Sequence, residues 1–170
     1  VPNDRYVAFE GFMKKFLKGL YDMQKKSGKA ITPSEFIREL GRAVDDESSI
    51  LYWAYKNGIP VICPALTDGS MGDMIFFFKH EYPDFMIEIT DDTMLINNLA
   101  MDAKETGAII LGGALPKPHI LNANMMREGL KYAVYIDSGV EDDGSLSGAL
   151  PEEALSWGKI SSSGRYARVW

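Results

Sequence analysis

Ala108-Ile109-Ile110-Leu111-Gly112-Gly113-Ala114-Leu115-Pro116 is an apolar run of strand length, followed by two glycines and a proline placed to open a helix. Its shortness and its β-branched residues favour a strand over a buried helix turn. Three further short apolar runs, at residues 60–64, 84–89 and 132–136, alternate with helical patterns at about residues 70–79, 92–106 and 117–130. That alternation predicts an α/β fold, a parallel sheet with helices on both faces. Ligands of such sheets lie beyond the carboxyl ends of the strands, which directs attention to the loops at residues 65–69, 112–116 and 137–150.

Upstream of residue 59 the texture is helical. Phe9, Phe12, Met13, Phe16, Leu17 and Leu20 repeat at the spacing of one buried face, predicting a helix over residues 5–24. Thr32-Pro33-Ser34-Glu35 carries proline just inside a helix start and glutamate placed for a capping box, so a second helix is expected from about residue 33 to 44. A third is expected over residues 49–57, closed by Gly58. With 170 residues, the chain is expected to form a single domain, helical over 1–58 and α/β over 59–170.

The net charge of -6 disfavours nucleic acid and anionic membrane as partners and is compatible with a polycationic substrate. Cys63 is the only cysteine, so no disulfide forms within the chain and a reducing, cytoplasmic setting is expected. No apolar run reaches membrane-spanning length and no signal peptide opens the chain. A start at Val1 rather than Met suggests a processed or excised product.

Each strand-end loop has a chemical reading. Asp68 stands at a strand tip, where a carboxylate accepts from ribose hydroxyls, and Asp73 follows it by one helical turn, suited to an ammonium group. Without a ligand, Ser70 as the N-cap and Asp73 in the first turn would satisfy the helix end equally well. Gly112 and Gly113 let a cofactor approach the backbone, and the helix that follows favours phosphates, although G-x-G-x-x-G is not matched. The loop Asp137-Ser138-Gly139-Val140-Glu141-Asp142-Asp143-Gly144-Ser145-Leu146-Ser147-Gly148 is acidic and long, with carboxylates that, together with Glu153, could surround a polycation. The EF-hand spacing is absent, and no metal site is expected. Beyond it, Pro151-Glu152-Glu153-Ala154-Leu155-Ser156-Trp157-Gly158-Lys159-Ile160 sets a lysine beside an aromatic ring and carboxylates. An uncharged, desolvated lysine attacks carbonyl or imine carbon, and a tryptophan face attracts a cationic substrate.

The chain resembles the deoxyhypusine synthase family. The resemblance rests on Ser156-Trp157-Gly158-Lys159, Pro-Ala-Leu-Thr-Asp-Gly-Ser at 64–70, Gly-Asp-Met-Ile-Phe-Phe at 72–77, Ile-Leu-Gly-Gly at 110–113, Asn-Ala-Asn at 122–124, Tyr-Ala-Val-Tyr-Ile at 132–136 and Val-Pro-Asn at 1–3. It implies a Rossmann-like NAD-binding fold, incomplete here because the chain matches only about the C-terminal half of a family member. It implies transfer of the aminobutyl group of spermidine to a lysine of the translation initiation factor 5A precursor, in a homo- or hetero-oligomer, a tetramer by resemblance. Asp68 would hold the NAD ribose, Gly112 and Gly113 its phosphates, and Ser138, Gly139 and Asp143 would complete the pocket. Asp73, Glu153 and Trp157, with Gly144 and Ser145, would bind spermidine, and Lys159 would carry the butylamine fragment as an imine. Where the family has a histidine this chain has Pro118, so His119, one residue on and rotated about 100 degrees around a helix, is the expected substitute base. Leu146 stands where the family has a spermidine-binding aspartate. These two departures support, as an alternative, a non-catalytic subunit that binds NAD and completes a partner's site.

Overall fold

The computed structural model describes residues 2–170, leaving out the side chain of Asp143. Two compact units emerge, residues 1–92 and 93–170. The first is helical: α1 (Tyr6–Ser27), α2 (Pro33–Val44), α3 (Ile50–Lys56) and α4 (Gly69–Glu81), with α5 (Thr90–Asp102) running across the boundary into the second. Met13, Leu17 and Leu20 of α1 pack with Phe36, Met74, Ile75, Phe78 and Phe85 in its core. Phe12 lies off that face, exposed, with its ring stacked on Phe16. The capping box forms as expected: Glu35 N–H donates to Thr32 Oγ1 at 3.1 Å and Thr32 N–H to Glu35 Oε2 at 3.0 Å.

The expected strands at 60–64 and 84–89 do not form. Residues 60–64 lack regular structure, and the second run makes only an isolated parallel bridge, Ile31 to Ile87. An apolar run becomes a strand only where a neighbour supplies a hydrogen-bonding ladder, and none is offered here.

The second unit holds β1 (Gly107–Leu111), α6 (Pro116–Met125), β2 (Leu130–Ile136), α7 (Pro151–Ser156) and β3 (Ile160–Val169). It is an α/β arrangement with a three-stranded parallel sheet in the order β1-β2-β3. Ala108, Ile110, Ala133 and Tyr135 pack against Leu121 of α6 and Ala154 of α7. Ile109, Leu111, Tyr132 and Ile136 point to the other face and are exposed, so helices cover one face rather than the expected two. Between its Leu130–Ile160 and Tyr132–Arg165 pairs the β2–β3 register shifts, two steps on β2 (130 to 132) matching five on β3 (160 to 165). Among the described residues no helix is long and apolar enough to cross a membrane.

Thr32→Ala should lower unfolding free energy by about 1 kcal/mol, because it removes the Oγ1 acceptor of the Glu35 N–H and leaves only the backbone N–H of residue 32 bonded to Glu35. Urea unfolding monitored by circular dichroism checks this.

Candidate functional site

The geometry of the second unit follows from how the chain returns from β2 to β3. After β2, Asp137 is buried and receives two hydrogen bonds on Oδ1, from Arg168 Nη2 at 2.8 Å and from Gly139 N–H at 3.1 Å. Arg168 Nη2 also donates to Gly139 O at 2.6 Å, which fixes the Ser138–Gly139 turn. The Asp137 and Arg168 side chains are only 1% and 8% exposed. The Arg168 hydrogen bond and the Gly139 N–H hold the Asp137 carboxyl below its usual range, against the upward push of burial.

The loop then folds back over two glycines. A Cβ on Gly113 would stand 2.3 Å from Ser147 Cα, and one on Gly139 would stand 2.8 Å from the Ser147 carbonyl carbon. Both glycines therefore make room for Ser147. By contrast, nothing lies within 4 Å of where a Cβ of Gly112 would be, leaving open space at the carboxyl end of β1. Lys117 Nζ ties down the end of the loop by donating to Ala149 O at 2.8 Å.

The six residues of α7 begin with a proline at the first position, which cannot use a donor there, and carry Glu152 and Glu153 in the first turn. Gly158 turns the chain with φ 73° and delivers Lys159 just before β3. Leu130 N–H donates to Lys159 O at 2.9 Å, anchoring that backbone to the start of β2. Lys159 thus precedes its strand, on the helix-covered side of the sheet, and does not sit beyond a strand's carboxyl end.

Lys159, Glu153 and Trp157 line one cavity of about 50 Å³, together with Lys117, Tyr135 and Leu146. Trp157 is 65% exposed and Glu153 is exposed, whereas Lys117 is 5% exposed and Tyr135 fully buried. The Lys117 ammonium sits 4.4 Å from the centroid of the Tyr135 ring, a cation–π contact. Burial pushes the Lys117 amine below the usual lysine range; Asp137 and Glu153 oppose that shift and Arg168 reinforces it. The Tyr135 hydroxyl is pushed up to about 12, chiefly by burial with Glu153 and Glu152 adding to it, and among the described residues it has no hydrogen-bond partner.

The other expected site residues are placed as follows. Asp68, not Ser70, caps α4, its carboxylate accepting from Gly69 N–H at 2.8 Å. The Ser70 hydroxyl instead pairs with Tyr6 Oη at 2.9 Å. Asp73 is exposed on α4, and both it and Asp68 belong to the first unit. Ser138, Gly144 and Ser145 are exposed, with Gly148 N–H donating to Ser145 Oγ at 3.3 Å. The side chain of Asp143 lies outside the described residues. His119 is half-buried on α6 and is not among the residues lining the cavity, while Pro118 is. Among the described residues no group of three or more His, Cys, Asp and Glu side chains could hold a metal ion.

Three residues with chemical weight escaped the sequence reading: Lys117, Tyr135 and Arg168. Tyr135 looked like one more apolar strand position. Lys117, between two prolines, carried the only available signal, since a lysine in the first helical turn opposes the helix dipole unless something else holds it.

The fold and site define an α/β protein with an amine-bearing pocket formed between its sheet and two flanking helices. A model of the deoxyhypusine synthase family matches residues 1–170. A Thermococcus onnurineus protein assigned as deoxyhypusine synthase is 51% identical over 178 residues, covering 100% of this chain and 53% of that protein. The deoxyhypusine synthase of Senecio vernalis is 50% identical, covering 99% of this chain and 46% of its own length. A solved structure assigned to the same activity in Entamoeba histolytica superposes with a TM-score of 0.71 at 32% identity, covering 97% of this chain and 59% of that one. The chain belongs to the deoxyhypusine synthase family. It spans about half the length of the curated relatives it matches.

Arg168→Met should cost about 3 kcal/mol, because it leaves the Asp137 carboxylate buried without its cation. The folded-state value of Asp137 lies below its unfolded value of about 3.9, so its stabilisation is present above that pH and is lost as pH falls through the lower folded value. Denaturant midpoints measured from neutral pH downward should show this acid-side loss, and Arg168→Met should flatten it.

Proposed function

We propose that this chain takes part in NAD-dependent transfer of the aminobutyl group of spermidine to a lysine of the translation initiation factor 5A precursor. The observation that carries this reading is the cavity shared by Lys159, Glu153 and Trp157 in a chain of the deoxyhypusine synthase family.

NAD, when bound, supplies the hydride acceptor that oxidises the amine. The residues present fit such a group in a Rossmann-like arrangement: Gly112 leaves its backbone open at the end of β1, and Ser138 is exposed after β2. Gly113 and Gly139 contribute by seating Ser147, and the family pattern alone assigns Asp68 and Asp143 to the same cofactor. The exposed Trp157 face and the Glu153 carboxylate attract an ammonium group of spermidine. The family pattern alone assigns Asp73, Gly144 and Ser145 to the same substrate. A cavity of about 50 Å³ admits one end of a chain amine, not a whole triamine. The Lys159 amine adds to the oxidised carbon, diaminopropane departs, the fragment held on Lys159 passes as an imine to the lysine of the protein substrate, and return of the hydride taken in the first step reduces that imine to the secondary amine. The reaction belongs to an oligomer of homologous subunits in the cytoplasm.

A second reading has its own support. Leu146 and Pro118 both line the cavity at positions where the family pattern has an aspartate and a histidine. A subunit that binds NAD and completes a partner's site, without turning over by itself, would tolerate both.

Borohydride trapping of the full assembly with spermidine and NAD should place a mass adduct on Lys159. Lys159→Ala should abolish it and leave NAD affinity unchanged by calorimetry. No adduct on that assembly would decide for the subunit reading, and a parallel fall in NAD affinity would refute the role given to the lysine.

A further inference from the structure

We propose that Lys117 carries protons inside the cavity, moving one between the nitrogen of Lys159 and the amine that departs during imine exchange. The inference rests on the imine chemistry proposed above and adds to it the group that makes the exchange fast.

Imine exchange cannot proceed by addition alone. When the uncharged Lys159 amine adds to a protonated imine, a carbon–nitrogen bond forms and the positive charge moves to the Lys159 nitrogen. That nitrogen must lose a proton, and the departing nitrogen must gain one before its bond to carbon breaks. The departing amine leaves neutral, and the lone pair of Lys159 closes the new protonated imine. Electrons and protons balance, with no oxidant required, and the carrier ends as it began.

The cavity offers few carriers. Of the residues that line it, Lys117, Tyr135, Glu153 and Lys159 can titrate. Lys159 is the nucleophile. Tyr135, held near 12, keeps its proton at neutral pH and serves at most as a donor. Glu153 is exposed on α7, where water competes for its carboxylate. Lys117 is buried at the inner end of the cavity, and among the described residues its Nζ has one hydrogen-bond acceptor, Ala149 O at 2.8 Å, for three N–H donors. The charged groups around it are Asp137 just after β2, Arg168 from β3 and Glu153 from α7, with Tyr135 beneath it. Their sum with burial is a lowered lysine, which is neutral in a larger fraction at neutral pH than an exposed one and can both take and return a proton.

The test needs neither NAD nor the protein substrate. The chain is mixed with the imine of butanal and 1,3-diaminopropane and quenched with cyanoborohydride at timed intervals, and its peptides are then analysed by mass. Labelling of Lys159 should slow about 100-fold in Lys117→Met and lose its pH dependence in the range where Lys117 titrates. Lys117→Arg retains charge and a donor for Ala149 O but cannot release a proton, and it should be slow as well. If Lys117→Arg labels at the unmodified rate, charge alone suffices and the inference fails. It fails equally if Lys117→Met is unaffected, if the loss appears only in Glu153→Gln or His119→Gln, or if the label lands on Lys117 itself. An unmodified chain in which Lys159 takes no label overturns the imine chemistry and the inference with it.

Discussion

The second unit depends on one buried contact: Arg168 Nη2 shared between Asp137 Oδ1 and Gly139 O. A buried ion pair gains little over two apolar side chains, because desolvating both charges offsets most of their attraction. Its value here is positional. It joins the end of β2 to the end of β3 and fixes the turn on which Ser147 is seated, and the Trp170 ring covers the guanidinium at 4.1 Å. From that seat the loop reaches Ala149 and the Lys117 ammonium, and α7 starts two residues later. Lys159 is therefore placed by a chain of contacts that begins at the opposite end of its own strand.

The electrostatics of the cavity run against the composition. The chain carries a net charge of -6, yet the inner end of the cavity holds a cation, Lys117, with Arg168 close enough to affect it. The carboxylates lie outward, with Glu152 and Glu153 exposed on α7. An amine entering such a site is drawn to the rim by negative charge and meets a positive charge at the floor. A charged end is thus best held near Trp157, and the end that reaches the floor must be able to accept a hydrogen bond.

What could be read from the sequence was local. The capping box at Thr32 and Glu35 and the i, i+3, i+4 pattern of α1 depend on residues a turn or two apart, so their spacing specifies them. β1 and β2 were legible because they are short runs rich in apolar and β-branched residues, although only one face of each is buried. The motif around Lys159 singled out Lys159, Trp157 and Glu153, and the structure brings these three to one cavity.

Tertiary structure decided the rest. β3 begins Ile160-Ser161-Ser162-Ser163-Gly164, which has no strand signature of its own; β2 pairs with Ile160 and again from Arg165 to Val169, and that ladder, on either side of the register shift, makes it a strand. Residues 60–64 look like a better strand and are not one, because among the described residues no strand pairs with them. Gly113 looked like a cofactor's approach and Gly139 entered by resemblance alone, and only the packing of Ser147 shows why neither has room for a Cβ. Spacing along the chain fixes helix faces and caps, since those interactions close within a few residues. Strand partners, buried charges such as Lys117 and Arg168, and the space beside a glycine depend on residues far apart in sequence, and they become definite only once the chain has folded.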